Sequence, residues 1–174
     1  DPGGAEGFKH GGWTFQYDRG PEGDKFKLDE LLASDAQLLG RRTYEGFAKA
    51  WPSIEDDQGF AARMNAMPKF VVSTTLERGD WNNTTVLGGD LTAEIGRLKE
   101  RFEGDILVAG SAQLVQSLLE LGLVDELRLM VFPVLLGQGK RLFADPGKVA
   151  AFKLADTRQA GACAILTLEL ADPS

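Results

Sequence analysis

The strongest constraint on this chain is the alternation of short apolar segments with amphipathic helical patterns. Residues 36–39 and 106–109 are apolar runs of strand length, and a helical pattern follows each run. In the second of these helices, leucine and valine recur at helical spacing between residues 114 and 121. Strands that alternate with helices are typical of an α/β fold, in which helices cover the faces of a sheet.

The remaining segments extend this pattern. Further helices are predicted at residues 26–34, 43–49, 58–65 and 91–102, with Asp90 as N-cap of the last, and further strands at residues 69–74, 84–87 and 127–131. The C-terminal part predicts an antiparallel hairpin, with strands at residues 152–158 and 163–170 around a turn that contains Gly161. Residues 1–25, which are rich in glycine, predict a loop with a short extended segment at residues 13–17.

These expectations combine into one fold. We predict a single α/β domain over residues 1–174, with a mixed, mostly parallel sheet flanked by helices and an antiparallel C-terminal hairpin. The segment 127–136 and the hairpin are more apolar than one face of an 18.8 kDa domain needs to bury, which favours a homodimer.

Charge and composition exclude several classes of function. A formal net charge of −7 argues against a general nucleic-acid or anionic-membrane binder. No apolar run reaches the roughly 18 residues that a membrane-spanning helix needs. Because the chain has one cysteine, Cys163, and one histidine, His10, an internal disulfide and a Cys/His zinc site are excluded, and we expect no bound metal. The lone thiol, together with the lack of a recognisable signal peptide, favours a cytoplasmic protein.

Two segments that join a strand to a helix are candidate anion sites. Gly110-Ser111 follows the strand at residues 106–109, and the free backbone N–H groups at the start of the next helix suit a phosphate or pyrophosphate. Gly40-Arg41-Arg42 follows the strand at residues 36–39 and adds two arginines, which suit bidentate contact with phosphate. The alternatives are a plain turn at the first segment and a solvated pair of arginines at the second.

Several motifs occur in a fixed order along most of the chain. They include Val108-Ala109-Gly110-Ser111, the segments 122–127 and 133–143, Gly40-Arg41-Arg42-Thr43-Tyr44, and Val71-Val72-Ser73-Thr74. Over about residues 11–170 the chain resembles the dihydrofolate-reductase-like superfamily. The resemblance is closest to the reductase domain of the bifunctional riboflavin-biosynthesis deaminase/reductase and its stand-alone relatives. The glycine-rich segment at residues 137–141 is not a P-loop, because Arg141 stands where that motif needs Ser or Thr.

The resemblance implies that the protein binds NADPH. Arg41 would face the adenosine 2′-phosphate, with Arg42 or Lys69 as the alternative cation for this role. The implied cofactor-binding residues are Gly40, Arg41, Thr43, Ser73, Thr74, Ala109, Gly110, Ser111, Gln113 and Leu114. Thr43 would lie near the phosphates, Ser73 and Thr74 beside the adenosine, and the others on the pyrophosphate and nicotinamide side.

The resemblance also implies hydride transfer to a small heterocyclic or imine-like substrate, as in a riboflavin-pathway pyrimidine reductase. The candidate proton donor is Asp24 or a water molecule; Asp24 lies 16 residues before Gly40, near the place of the substrate-binding acid in folate reductases. Two alternatives stay open. One is a true dihydrofolate reductase, although the glycine run of that enzyme is replaced here by Ala109-Gly110-Ser111. The other is a protein that binds NADPH without catalysis.

Overall fold

The computed structural model describes residues 7–171. Within this range, the helices are α1 (Gly20–Ala33), α2 (Arg41–Ala50), α3 (Phe60–Ala66), α4 (Leu91–Arg101) and α5 (Ala112–Glu120), with short 3₁₀ helices at Trp13–Gln16 and Trp51–Ser53. The strands are β1 (Ser34–Gly40), β2 (Lys69–Val72), β3 (Thr84–Leu87), β4 (Asp105–Leu107), β5 (Glu126–Val131), β6 (Phe152–Ala160) and β7 (Cys163–Leu170). No helix in this part of the chain is long and apolar enough to cross a membrane.

The chain divides into two compact units. The parallel unit comprises Leu28–Leu123 and Leu142–Gly147, and its four strands are all parallel in the order β3-β2-β1-β4. The hairpin unit comprises, among the described residues, 7–27, Val124–Arg141 and 148–171, and its three strands are antiparallel in the order β5-β7-β6. The predicted α/β fold with parallel strands and an antiparallel C-terminal hairpin is confirmed, with the two kinds of strand in separate sheets. The single domain over residues 1–174 stays a prediction.

Strand β1 is the centre of the parallel unit. It pairs with β2 on one side and β4 on the other, and the side chains of Ala36, Gln37, Leu38 and Leu39 are all at most 2% exposed. A parallel strand that is covered on both faces is mostly apolar rather than alternating, and three of the residues 36–39 are apolar. The exception is the buried Gln37, whose Nε2 lies 3.0 Å from the sulfur atoms of Met64 and Met67.

Lys69 is a fully buried lysine at the start of β2. Its Nζ donates hydrogen bonds to the carbonyl oxygens of Asn65 and Met67, each at 2.9 Å, and of Asn82 at 3.0 Å. The ammonium also lies 4.2 Å from the centre of the Trp81 ring, a favourable cation–π position. Burial lowers the pKa of Lys69 to about 8, which leaves the side chain charged at neutral pH. The hydrogen bonds of Lys69 therefore link the end of α3 to the segment before β3.

The hairpin between β6 and β7 has a two-residue turn, Gly161-Ala162. Gly161 has a φ of +55°, which fits the first position of a type II′ turn, where glycine is preferred. A Cβ at this position would lie 2.6 Å from backbone atoms of Asp18, Arg19 and Gly20, and the N–H of Ala162 donates to the carbonyl of Asp18. The glycine thus allows the turn and also the close packing of residues 18–20 on it.

The N-terminal region differs from the prediction. Residues 13–16 form a 3₁₀ helix instead of an extended segment, because Gly12 adopts a left-handed conformation and its carbonyl accepts from the N–H of Phe15. Helix α1 begins at Gly20, six residues earlier than expected. Asp18 accepts a hydrogen bond from the N–H of Gly20, and Pro21 and Glu22 in the first turn are typical of a helix start.

We expect Lys69→Met to lower the free energy of unfolding by about 2–4 kcal/mol, because three carbonyl oxygens lose their donor. Lys49→Met is the matched control, since Lys49 lies exposed in the last turn of α2, and its effect should stay below about 1 kcal/mol. Urea denaturation followed by circular dichroism measures both. Equal effects of the two substitutions would show that the buried contacts of Lys69 add nothing to stability.

Candidate anion-binding site

Two helices begin at the carboxyl ends of neighbouring parallel strands. Strand β1 ends at Gly40 and α2 starts at Arg41, whereas β4 ends at Leu107 and α5 starts at Ala112. Because β1 and β4 are paired and parallel, both helices start at the same edge of the sheet. Ligands of open α/β sheets bind at this edge, beyond the carboxyl ends of the strands.

The two helix starts are in direct contact through Gly40 and Ser111, which are the N-caps of α2 and α5. A Cβ on Gly40 would lie 2.2 Å from Ser111 Oγ and 3.1 Å from Ser111 Cβ. Gly40 has an ordinary extended conformation, with φ −77° and ψ 153°, so its backbone does not require glycine. The position requires glycine because Ser111 occupies the space that a side chain would need.

Gly110 and Ser111 are consecutive residues with positive φ, at 96° and 68°. Glycine adopts this region freely, but serine does so at a cost of about 1–2 kcal/mol. The hydroxyl of Ser111 makes no capping hydrogen bond to α5, so capping does not explain the conformation. Strained residues of this kind cluster at binding and catalytic sites.

Helices α1, α3 and α4 carry acidic side chains at their N-termini. Asp56 accepts hydrogen bonds from the N–H groups of Ala61 and Phe60 in α3, and these bonds, the first above all, lower the pKa of Asp56. Asp90 accepts from the N–H of Ala93 in α4, as predicted, and Glu94 lies in the first turn. In α1, Asp18 accepts from the N–H of Gly20.

Helices α2 and α5 lack this feature. Neither has a side-chain cap, and neither has an acidic residue in its first turn. Their first N–H groups, together with the positive end of each helix dipole, therefore meet at the edge of the sheet without a carboxylate from the chain. This arrangement is what an anionic ligand needs.

Two arginines add positive charge at the start of α2. Arg41 is exposed, and its Nη1 donates to Glu45 Oε1 at 3.0 Å; Arg42 is also exposed. A cation at a helix N-terminus opposes the dipole by about 0.3–1 kcal/mol, which offsets the roughly 0.2–0.5 kcal/mol that an i,i+4 pair such as Arg41–Glu45 contributes. The two arginines are well suited to a ligand with several negative charges.

Ser73 and Thr74 lie at the same edge, immediately after β2, whose last residue Val72 is level with Gly40. Ser73 is 9% exposed, and its hydroxyl accepts from the N–H groups of Thr75 and Leu76 at 3.2 and 2.9 Å. Its side chain therefore shapes the turn after β2. Thr74 is exposed.

The other predicted cofactor residues lie at or near the two helix starts. Thr43 is half-buried in the first turn of α2, Ala109 is half-buried before Gly110, and Gln113 is exposed in the first turn of α5. Leu114 is buried, and its Cβ would be 3.9 Å from a Cβ on Gly40, so it packs behind that glycine as a core residue.

Two further predicted residues have contacts of their own. Asp24, the predicted proton donor, lies in α1 on the hairpin unit, where its exposed carboxylate pairs with Arg19 Nε at 2.6 Å. Lys69, an alternative cation for the adenosine 2′-phosphate, is unsuited to that role because its ammonium is buried among three carbonyls. Within residues 7–171, no group of His, Cys, Asp and Glu side chains is arranged to hold a metal ion.

Sequence reasoning found both helix starts but missed their contact. No local signal reveals it, because Gly40 is needed for space and not for its φ. The reasoning also missed Gly88 and Gly89, which follow β3 at the same edge of the sheet. The sequence signal for these two residues is their position directly after the predicted strand at residues 84–87.

We expect Gly40→Ala to lower the free energy of unfolding by about 1–3 kcal/mol, because the new methyl group collides with Ser111. Ser111→Gly removes the obstructing atoms and the left-handed serine, and alone should raise the free energy of unfolding by about 1 kcal/mol. In the Ser111→Gly background, Gly40→Ala should then cost at least about 1 kcal/mol less. Urea denaturation of the four proteins of this cycle provides the measurement, and strict additivity would contradict the contact.

Comparison with known proteins identifies the family of this chain. The sequence matches the RibD C-terminal domain family over residues 8–166. A curated relative, the uncharacterized protein YyaP of Bacillus subtilis, is 32% identical over 133 residues, which cover 75% of this chain and 70% of YyaP.

Solved structures show the same fold at low sequence identity. A putative riboflavin biosynthesis protein from Shewanella sp. PV-4 superimposes with a TM-score of 0.68 at 19% identity, covering 83% of this chain and 78% of that one. RibD of Acinetobacter baumannii gives 0.63 at 20% identity, covering 87% and 51%. Dihydrofolate reductase from Enterococcus faecalis, in a complex with NADP(H), gives 0.51 at 15% identity, covering 86% and 82%. The fold is thus dihydrofolate-reductase-like, and the chain belongs to the RibD C-terminal domain family.

Proposed function

We propose that this protein is an NADPH-dependent reductase of the riboflavin-pathway pyrimidine reductase type. The observation that carries the proposal is the contact between the uncapped N-termini of α2 and α5, with two arginines beside them. A pyrophosphate linked to a 2′-phosphorylated ribose is a ligand of matching charge. Membership of the RibD C-terminal domain family supports an oxidoreductase.

The residues at the sheet edge fit NADPH in the following way. The backbone N–H groups from Ser111 onward would bind the pyrophosphate, with Thr43 beside it; Gly110, whose own N–H donates to the carbonyl of Val108, leaves room for the ligand next to the backbone. Arg41 would bind the adenosine 2′-phosphate, while Ser73 and Thr74 border the adenosine. Ala109, Gln113 and Leu114 would position the nicotinamide side, and Gly40 keeps the two helix starts close enough to share one ligand. NADPH supplies the hydride when it is bound.

The substrate belongs, in this proposal, to the class of small heterocycles with a reducible carbonyl or imine, and a ribosylaminopyrimidine is the first candidate. The family and the fold shared with RibD support this choice. Dihydrofolate is the second candidate, favoured by the similarity to dihydrofolate reductase. Asp24 stays the proposed proton donor; its carboxylate is exposed and pairs with Arg19.

We also propose that the protein is a homodimer. Several large apolar side chains of the hairpin unit are exposed, among them Val131, Leu154 and Leu170 at 50%, 58% and 38%. Burial of such side chains against a second copy contributes to association in proportion to the apolar area removed from water.

We expect Arg41→Ala to weaken NADPH binding about ten- to hundredfold, since a charge-assisted contact is worth about 1.5–3 kcal/mol. Binding of NADH, which has no 2′-phosphate, should change little. Fluorescence titration with both cofactors measures the effect. Arg97→Ala is the matched control, because Arg97 is an exposed arginine on α4 that also pairs with a glutamate. An equal loss for NADPH and NADH would assign the 2′-phosphate role to Arg42 instead.

The substrate class is tested by following NADPH oxidation with one substrate at a time. We expect turnover of the ribosylaminopyrimidine and not of dihydrofolate. Turnover of dihydrofolate alone would identify a folate reductase. Tight NADPH binding without turnover of either compound would favour another substrate or a non-catalytic NADPH-binding protein.

A further inference from the structure

Glu45 lies about one turn along α2 from Arg41, the arginine that the proposed function assigns to the adenosine 2′-phosphate. Glu45 Oε1 accepts a hydrogen bond from Arg41 Nη1 at 3.0 Å, and the side chains of Arg41 and Glu45 are 42% and 43% exposed. Within residues 7–171, the guanidinium of Arg41 has no other hydrogen-bond or ion-pair partner. A phosphate that binds Arg41 must therefore share the guanidinium with Glu45 or take it from Glu45.

The carboxylate of Glu45 is placed beside the start of α2, although the first turn of this helix has no acidic residue. Side chains of an α-helix lean toward its N-terminus, so Glu45 covers the turn in which Arg41 lies. Glu45 thus adds a negative charge next to the N–H groups that are left for a ligand. In the other helices of the parallel unit, the acidic groups at the N-terminus bind N–H groups instead, as Asp56 does in α3 and Asp90 in α4.

The pair between Arg41 and Glu45 is weak. An acidic residue four positions before a basic one agrees with the helix dipole, whereas here the basic residue comes first. Exposed ion pairs also contribute little, because water screens both charges. The paired side chains are therefore favoured over the unpaired ones by a factor of only about 1.4–2.3. A ligand phosphate with a charge-assisted contact to Arg41 can break such a pair.

The geometry of α2 favours exchange of partners over sharing. The Cα atom of Glu45 lies about 6 Å further along the helix axis than that of Arg41, so the paired guanidinium runs along the side of the helix. The free N–H groups of the first turn point the other way, beyond the start of the helix, and a phosphate bound to them lies there. Arg41 must turn away from Glu45 to meet it. Sharing would also bring the carboxylate close to a phosphate, and the two negative charges repel each other.

We infer that Glu45 competes with the ligand phosphate for Arg41 and thereby limits the preference of this protein for a 2′-phosphorylated cofactor. The inference rests on the proposed function, in which Arg41 binds the adenosine 2′-phosphate. Glu45 is a specificity-determining residue that acts through Arg41. It controls the preference for NADPH over NADH, because NADH has no 2′-phosphate to draw Arg41 away from the pair.

The size of the effect follows from the strength of the pair. With the paired state favoured by a factor of about 1.4–2.3, Arg41 is unpaired in about 0.3–0.4 of the molecules. Binding that needs an unpaired Arg41 is weakened by the inverse of this fraction, which is about two- to threefold. Removal of the carboxylate should tighten NADPH binding by the same factor.

Fluorescence titration with NADPH and NADH tests the competition. Glu45→Gln and Glu45→Ala should each tighten NADPH binding about two- to threefold and leave NADH binding unchanged. Unchanged NADH binding also shows that the helix is intact. Glu100→Gln is the matched control, because it removes the same charge from an exposed glutamate on α4, and it should change neither affinity.

The double variant Arg41→Ala/Glu45→Ala tests whether Glu45 acts through Arg41. Without Arg41 there is no guanidinium to compete for, so its affinity for NADPH should equal that of Arg41→Ala alone. A two- to threefold gain that persists without Arg41 would show direct repulsion between Glu45 and the ligand, and would overturn the inference.

The remaining outcomes separate the inference from the proposed function. Weaker NADPH binding by Glu45→Ala would show that the pair orients Arg41 for the ligand, which overturns the inference. Unchanged NADPH binding by both variants, or equal changes for NADPH and NADH, would overturn it as well. All these results leave the proposed function intact, whereas a failure of the unsubstituted protein to bind NADPH overturns the proposed function and the inference together.

Discussion

The close approach of Gly40 to Ser111 is the constraint on which the candidate site depends. Parallel pairing of β1 and β4 brings the two strand ends together, but it does not by itself bring two helices into contact. That contact exists because residue 40 has no side chain and residue 111 accepts a left-handed backbone. A larger residue at position 40 would separate the helix starts, and each would then offer only its own N–H groups. The absence of a side chain at residue 40 thus decides whether the two helix starts can form one candidate anion site.

Carboxylates are distributed unevenly over the helix starts. The chain has seven more acidic than basic residues, and acidic groups lie at the N-termini of α1, α3 and α4. A side-chain cap is worth about 1 kcal/mol, so a stability optimum would place such groups on α2 and α5 as well. Because α2 and α5 have no such groups, the protein without a ligand is less stable than it would be with capped helices. An anion bound there provides the missing acceptors, and stability and binding are coupled through the same N–H groups.

Much of the fold could be predicted from the sequence because the hydrophobic periodicity and the capping and turn residues indicate the same helices and strands. The predicted strand at residues 84–87 and the predicted N-cap Asp90 are confirmed. The hairpin turn at Gly161, predicted from one glycine between two strand patterns, is confirmed as well. The prediction of an extended segment at residues 13–17 was wrong. The left-handed conformation of Gly12 starts a 3₁₀ helix there, although the aromatic residues alternate as in a strand. Lys69 was a candidate ligand cation because the sequence does not show that the end of α3 and the segment before β3 fold around it and direct three carbonyls at its ammonium. The site residues were predicted as two separate segments, since a contact between residues 71 positions apart leaves no local trace.

The division of the chain into two units has a consequence for the order in which the protein forms. The parallel unit is built almost entirely from one continuous stretch, Leu28–Leu123, whereas the hairpin unit joins the residues before 28 to strands that end near residue 170. Its turn at Gly161 holds residues 18–20, which are some 140 positions away along the chain. Contacts of such long sequence separation form slowly, because a long loop must close first. On the ribosome, the four strands of the parallel sheet are complete in sequence before the hairpin has been synthesised, and residues 18–20 wait for their partner until the turn at Gly161 has been made.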